Sequence, residues 1–108
     1  MTSAIFLLLT VVISSLPQTE SYDIECLWCL NVVFNAQENF GDNITSATNV
    51  QLDEYFERTC RVDQRKSPLL AAVCYDMFKN HREELFNDLR NNVSAIQTCN
   101  DCGFCQTA

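Results

Sequence analysis

The amino-acid sequence predicts an all-α fold, a small bundle of helices held together by disulfides. Three observations carry that expectation. Two glycines and two prolines in 108 residues are too little turn chemistry for a multi-stranded sheet, and no long run alternates apolar with polar residues. Apolar residues instead recur at three- and four-residue spacing through most of the chain. Seven cysteines complete the pattern, with Cys26 and Cys29 near one end answered by Cys99, Cys102 and Cys105 near the other. Positions i and i+3 share a helical face, so Cys26 and Cys29 present two sulfurs to an opposing segment and can sew the ends together.

Residues 1–21 are expected to be a leader. An apolar run from Ala4 to Ile13 is followed by Ser14, Ser15 and a polar segment containing Pro17, which reads as a secretory signal peptide. The run is too short for a spanning helix of about 20 residues. Residues 22–108 then form one domain of about 87 residues, whose core is too small to be trusted without staples. Seven cysteines in so short a secreted chain imply a disulfide framework, and their odd number leaves one thiol over.

The first helix is expected from about Ile24 to Asn39, with Cys26, Cys29, Leu30 and Val33 on one face. Leu27, Trp28, Val32 and Phe34 fall outside that stripe. Either the helix is buried on most sides, or part of this apolar surplus meets lipid or a second subunit; Leu27, Trp28, Val32 and Phe34 are therefore the candidate lipid contacts. Phe40-Gly41-Asp42-Asn43 reads as a turn, with Gly41 stopping the helix. Thr48 and Gln51 form a capping-box signature that opens a second helix carrying Leu52, Tyr55, Phe56 and Cys60. Asp53, Glu54, Glu57, Arg58 and Arg61 are its solvated face.

Ser67-Pro68, an N-cap followed by proline at the first helical position, opens the third helix, with Leu70, Val73, Cys74 and Met77 on one side and Leu69 and Phe78 flanking. A last helical region starts near Asn80 and carries His81, Arg82, Glu83 and Glu84 in its first turn. Leu85, Leu89, Val93 and Ile96 keep to one face, with room for one break before Cys99. Cys60 and Cys74, both on apolar stripes, are placed to clamp a helical hairpin. Closing a loop of that length is worth about 3 kcal/mol in the chain-entropy model, and joining the chain ends about 4.5 kcal/mol.

The formal charge of −7 includes Glu20 in the leader, which leaves thirteen acidic against seven basic residues and a charge of −6. Nucleic acid is disfavoured as a partner, as is constitutive attraction to anionic membranes at neutral pH. Asn43-Ile44-Thr45 and Asn92-Val93-Ser94 are sequons, so Asn43 and Asn92 are glycosylation candidates. Catalytic residues and cofactors are not expected. His81 is the one histidine and is taken as solvent-exposed. Neither a His-Glu-x-x-His nor a Gly-x-Ser-x-Gly motif occurs, and Glu83 and Glu84 point apart on a helix. Zinc held by four thiolates, or a redox role for Cys-x2-Cys, is a poorer reading than disulfides in a secreted chain.

The cysteine order resembles that of the saposin-like (saposin B-type) family. Cys26 and Cys29 are followed by spacers of 30, 13, 24 and five residues that end at Cys60, Cys74, Cys99 and Cys105. The resemblance spans Cys26 to Cys105, and Gly103-Phe104-Cys105 is similar to the Gly-x-Cys ending of many members. It implies a saposin-like bundle of four to five helices with three disulfides, Cys26–Cys105, Cys29–Cys99 and Cys60–Cys74. It also implies lipid or membrane binding, since members present lipids to hydrolases or permeabilise microbial membranes. In form the chain is most similar to the small secreted caenopore and amoebapore type, which points to an antimicrobial pore-former.

Cys102 has no place in the family pattern. It stands at i+3 from Cys99 and could take a partner in Cys26 or Cys29, or Gly103 could end the helix and bring Cys105 there instead. In the second case Cys102 is a free or intermolecular thiol, exposed near the C-terminus and able to link a homodimer. Membrane activity is expected to be switched on by acid, because carboxylates neutralise between about pH 5 and 4 while arginine and lysine stay charged. A secreted location or a lysosome-like acidic compartment suits that behaviour. The alternatives are a non-lytic accessory protein that presents lipid to a hydrolase, and a disulfide-linked interaction module.

Overall fold

The computed structural model describes residues 23–106, and the signal-peptide expectation lies outside them. Among the described residues there are five α-helices and no strand: α1 (Ile24–Phe40), α2 (Asn49–Lys66), α3 (Pro68–Asn80), α4 (Arg82–Arg90) and α5 (Ala95–Asp101), with a 3-10 helix (Gly41–Ser46) between α1 and α2. The fold is an all-α bundle stapled by disulfides.

Each boundary has a local cause. α1 ends at Gly41, whose φ of 55° lies in the region that glycine enters without steric cost. The following residues wind into a 3-10 helix rather than a simple turn, because Ile44 must reach the core, where it is fully buried. Thr48 and Gln51 make both bonds of the capping box, the Thr48 hydroxyl accepting from the Gln51 amide and the Gln51 side chain accepting from the Thr48 amide. A cap of this kind contributes about 1 kcal/mol. Ser67 caps α3 by accepting from the Leu70 amide, with Pro68 in the first turn.

The last helical region does break, at residues 91–94. Asn92 adopts φ 57°, a left-handed conformation that asparagine tolerates better than most residues, and Ser94 then caps α5 by accepting from the Gln97 amide. α3 and α4 are separated by His81 alone, which is the C-cap of one helix and the N-cap of the next.

The core forms where the apolar stripes converge. α2 lies along α3, α1 packs on α3 and α5, and α4 bridges α3, α5 and the 3-10 helix. Phe56, Phe78 and Phe86, from α2, α3 and α4, stack with ring centroids 5.9–6.4 Å apart. Such aromatic pairs contribute about 0.5–1.5 kcal/mol each beyond simple burial. Val33, Leu52, Met77, Leu85 and Leu89 fill the remaining interior.

Candidate functional site

Two features of the bundle bear on function: the outer face of α1, and the joint where the chain's C-terminal end is sewn to it. The disulfides are Cys26–Cys105, Cys29–Cys99 and Cys60–Cys74, the pairs that the family resemblance implies. The first two tie the N-terminal half of α1 to α5 and the segment after it, while the third clamps α2 to α3. No disulfide joins the α1–α5 unit to the α2–α3 unit; packing, the connecting chain and α4, whose Arg82 pairs with Asp53 and whose Asp88 faces Asp101, hold them together. With Cys26, Cys29 and Cys99 all oxidised, no set of four thiolates exists.

Gly103 decides which C-terminal cysteine meets Cys26. Its φ of 85° turns the chain back on α5, and the Phe104 and Cys105 amides both donate to the Cys99 carbonyl. Phe104 lodges edge-on against His81, which is half-buried rather than solvent-exposed. Cys102 is the free cysteine, and it corrects the expectation of exposure: only 3% of its surface is accessible. Burial pushes its thiol up to about 12, helped by the negative charges of Asp88, Glu84 and Asp101. The thiolate is the reactive species, so in the folded state this cysteine is neither accessible nor activated for an intermolecular bond.

On α1 the four candidate lipid contacts separate. Leu27 and Phe34 are exposed, at 52% and 55%. Val32 is 1% exposed and is corrected to a core residue. The reason is helical phase: the buried face runs through Cys26, Cys29, Val32, Val33 and Ala36, so it is rotated toward Val32 relative to the expected stripe, and Leu30 is only half-buried. Trp28 is half-buried against the core, and its indole nitrogen is enclosed without a hydrogen-bond partner. Ile24, not singled out from the sequence, joins Leu27 and Phe34 on the surface. Ile24, Leu27, Asn31 and Phe34 follow i, i+3, i+7, i+10 spacing and form one outward stripe.

Two carboxylates were missed. Asp88 on α4 is 8% exposed, and its ionised Oδ2 is enclosed with no donor to bind. It faces Asp101 at the end of α5. Burial, then the hydrogen bond to Asp101, then the charges of Asp101 and Glu84 raise Asp88 to about 6. Asp101 is lowered in turn by the Asp88 proton and by Gln97, whose side chain donates to Oδ1 at 2.8 Å. On α2, Asp63 is buried and raised by that burial, with Lys66 opposing. A signal existed for both: Asp88 follows Leu85, and Asp63 follows Cys60, by three residues, which puts each carboxylate on the apolar face of its helix.

The side chains of Asn43, in the 3-10 helix, and Asn92, in the α4–α5 break, are both exposed. Among the described residues no helix is long and apolar enough to cross a membrane, and no group of three or more His, Cys, Asp or Glu side chains could hold a metal ion. No family model, curated protein or solved structure matches the chain.

Proposed function

We propose that this is a secreted saposin-like protein that binds lipid surfaces, with permeabilisation of microbial membranes at acidic pH as its biological use. The observation that carries the reading is the exposed stripe of Ile24, Leu27 and Phe34 on a helix whose opposite face is locked by two disulfides. Large apolar side chains aligned on one helix are surface that lipid or another apolar partner would cover. Six cysteines joined in the order of the saposin B-type pattern support the family assignment and, with it, a secretory route in which disulfides persist.

Acid acts on this reading in two ways. Thirteen carboxylates against seven bases give a net charge that opposes a close, all-round approach of apolar surface to an anionic bilayer at neutral pH, and protonation between about pH 5 and 4 weakens that opposition. The bundle is also divided covalently into two stapled units, so separation of α1–α5 from α2–α3 would expose the interior without breaking a disulfide. Such an opening would let the enclosed Trp28 indole reach water or headgroup oxygens. No catalytic role is assigned.

The test is flotation with anionic liposomes at pH 7 and pH 4.5 at matched ionic strength, beside dye leakage from the same vesicles. Stronger binding and leakage at pH 4.5 support the reading. Equal or weaker binding at the lower pH rejects the acid switch, and absence of binding at both rejects lipid as the partner.

A further inference from the structure

We propose that the basic end of the α2–α3 hairpin is a docking surface for anionic lipid bilayers, and that it engages them already at neutral pH. The proposal rests on the lipid reading above and adds to it an orientation and a contact surface separate from the α1 stripe.

Arg58, Arg61, Val62, Arg65 and Lys66 follow i, i+3, i+4, i+7, i+8 spacing on α2 and are all exposed. They form one face, in which four cations surround an exposed valine. Leu69, 59% exposed just beyond the Ser67 cap, is a second exposed apolar side chain at this end of the hairpin. None of these four bases has a carboxylate within ion-pair distance. The ion pairs among the described residues belong to Lys79 with Glu57 and to Arg82 with Asp53, and Arg90 is engaged by Asn49. The three bases outside the hairpin end are thus occupied, while the four within it are unoccupied.

The distribution of charge explains how an acidic protein can present a basic site. Residues 58–75 hold four bases and one carboxylate, the buried Asp63; the rest of the described chain holds three bases and twelve carboxylates. Along α2 the sign reverses between Glu54 and Glu57 on one side and Arg58 on the other. A rise of 1.5 Å per residue puts Arg65 about 16 Å along the axis from Glu54, beyond a Debye length of about 8 Å at physiological salt. A bilayer approached by this end therefore meets the local positive charge, and the net charge of the molecule is screened from it. Aliphatic Val62 and Leu69 suit the headgroup–acyl boundary. A single-stranded nucleic acid would call for aromatic stacking platforms, and no exposed aromatic residue lies on this face; a duplex would leave the exposed Val62 and Leu69 without apolar surface to enter.

The experiment is flotation of the disulfide-bonded protein at pH 7 with phosphatidylcholine vesicles, with and without phosphatidylserine. The wild type is expected to float with the phosphatidylserine vesicles at about 0.15 M salt and to be released at about 0.5 M salt. A base near an anionic leaflet strengthens binding about fivefold. Arg65→Glu should therefore weaken binding by about fivefold or more, and Arg61→Glu with Arg65→Glu by about 25-fold or more. Lys79→Glu makes the same change in net charge away from the hairpin end and should cost less than about twofold. All these side chains are exposed, and far-UV circular dichroism verifies that the variants are folded. Equal losses for Arg65→Glu and Lys79→Glu would overturn the docking surface, as would a wild type that binds only at pH 4.5, though that result keeps the lipid reading. Tighter binding to a DNA duplex than to phosphatidylserine vesicles would also overturn it. A wild type that floats at neither pH removes both proposals.

Discussion

Replacing Asp88 by asparagine should stabilise the protein at neutral pH and leave it unchanged in acid. Asp88 is enclosed between α4 and α5 and faces Asp101. With both ionised, two carboxylates repel across the joint; with Asp88 protonated, it donates a hydrogen bond to an ionised Asp101. Its pKa is raised in the fold to about 6, against about 3.9 unfolded. Its stabilising contribution is therefore complete below about pH 3.9 and is lost as pH rises through 6. Asp101 is lowered, so its contribution runs the other way and is lost as pH falls through its folded value. The two contributions coexist most fully near pH 4, and above it that of Asp88 declines until about pH 6. A difference of two pKa units at about 1.4 kcal/mol each sets a ceiling of about 3 kcal/mol, which solvent at the exposed Asp101 reduces to about 1–2 kcal/mol.

Asp88→Asn keeps the shape and supplies the donor at every pH. In a domain of this size, thermal unfolding followed by circular dichroism should place the variant about 5–10 °C above the wild type at pH 7.5. The two curves should approach each other as pH falls and converge below about pH 3.9. Both proteins share the remaining carboxylates, so the gap between them isolates this pair. A gap that stays constant from pH 4.5 to 7.5, or a variant less stable than the wild type at pH 7.5, would refute the shared-proton account.

Further outcomes follow from the same geometry. Leu27→Ser with Phe34→Ser should lower liposome binding at pH 4.5 and leave the thermal midpoint within a few degrees, whereas Val32→Ser should cost about 2–4 kcal/mol of stability by opening a cavity and burying a hydroxyl. Calorimetry beside flotation separates the two. Cys102 should resist a thiol-specific alkylating agent in the native protein and react after denaturation, and both the wild type and Cys102→Ser should run as monomers on a non-reducing gel. Rapid native labelling, or a dimer abolished by the variant, would contradict its burial. Replacing Cys60 and Cys74 together by alanine should cost about 3 kcal/mol, from opening a bond with a sequence separation of 14, measured by urea unfolding.

The helices and their ends were legible in the sequence because their causes are local. Thr48 and Gln51, Ser67 and Pro68, and Gly41 each act within four residues, on backbone groups that any chain of that order would present. Three to four helices' worth of apolar periodicity and paired cysteines were likewise enough for an all-α stapled bundle. What the tertiary structure alone decided concerns choices between faces. α1 is apolar nearly all round, so its own sequence does not say that Val32 points in while Leu27 and Phe34 point out; the position of α3 and α5 against it does. Helical spacing alone left Cys102 open beside Cys105 as a partner for Cys26, and Gly103, at φ 85°, turns the chain so that Cys105 takes that place. Asp88 acquires its raised pKa from burial in the packed bundle and from Asp101, thirteen residues away on another helix. The unpaired state of Arg58, Arg61, Arg65 and Lys66 is likewise a property of the packed bundle. Spacing places those bases on one face, but only the fold shows that Glu57 pairs with Lys79, Asp53 with Arg82, and Asp63 is buried, because charge pairing depends on distance in space and not along the chain.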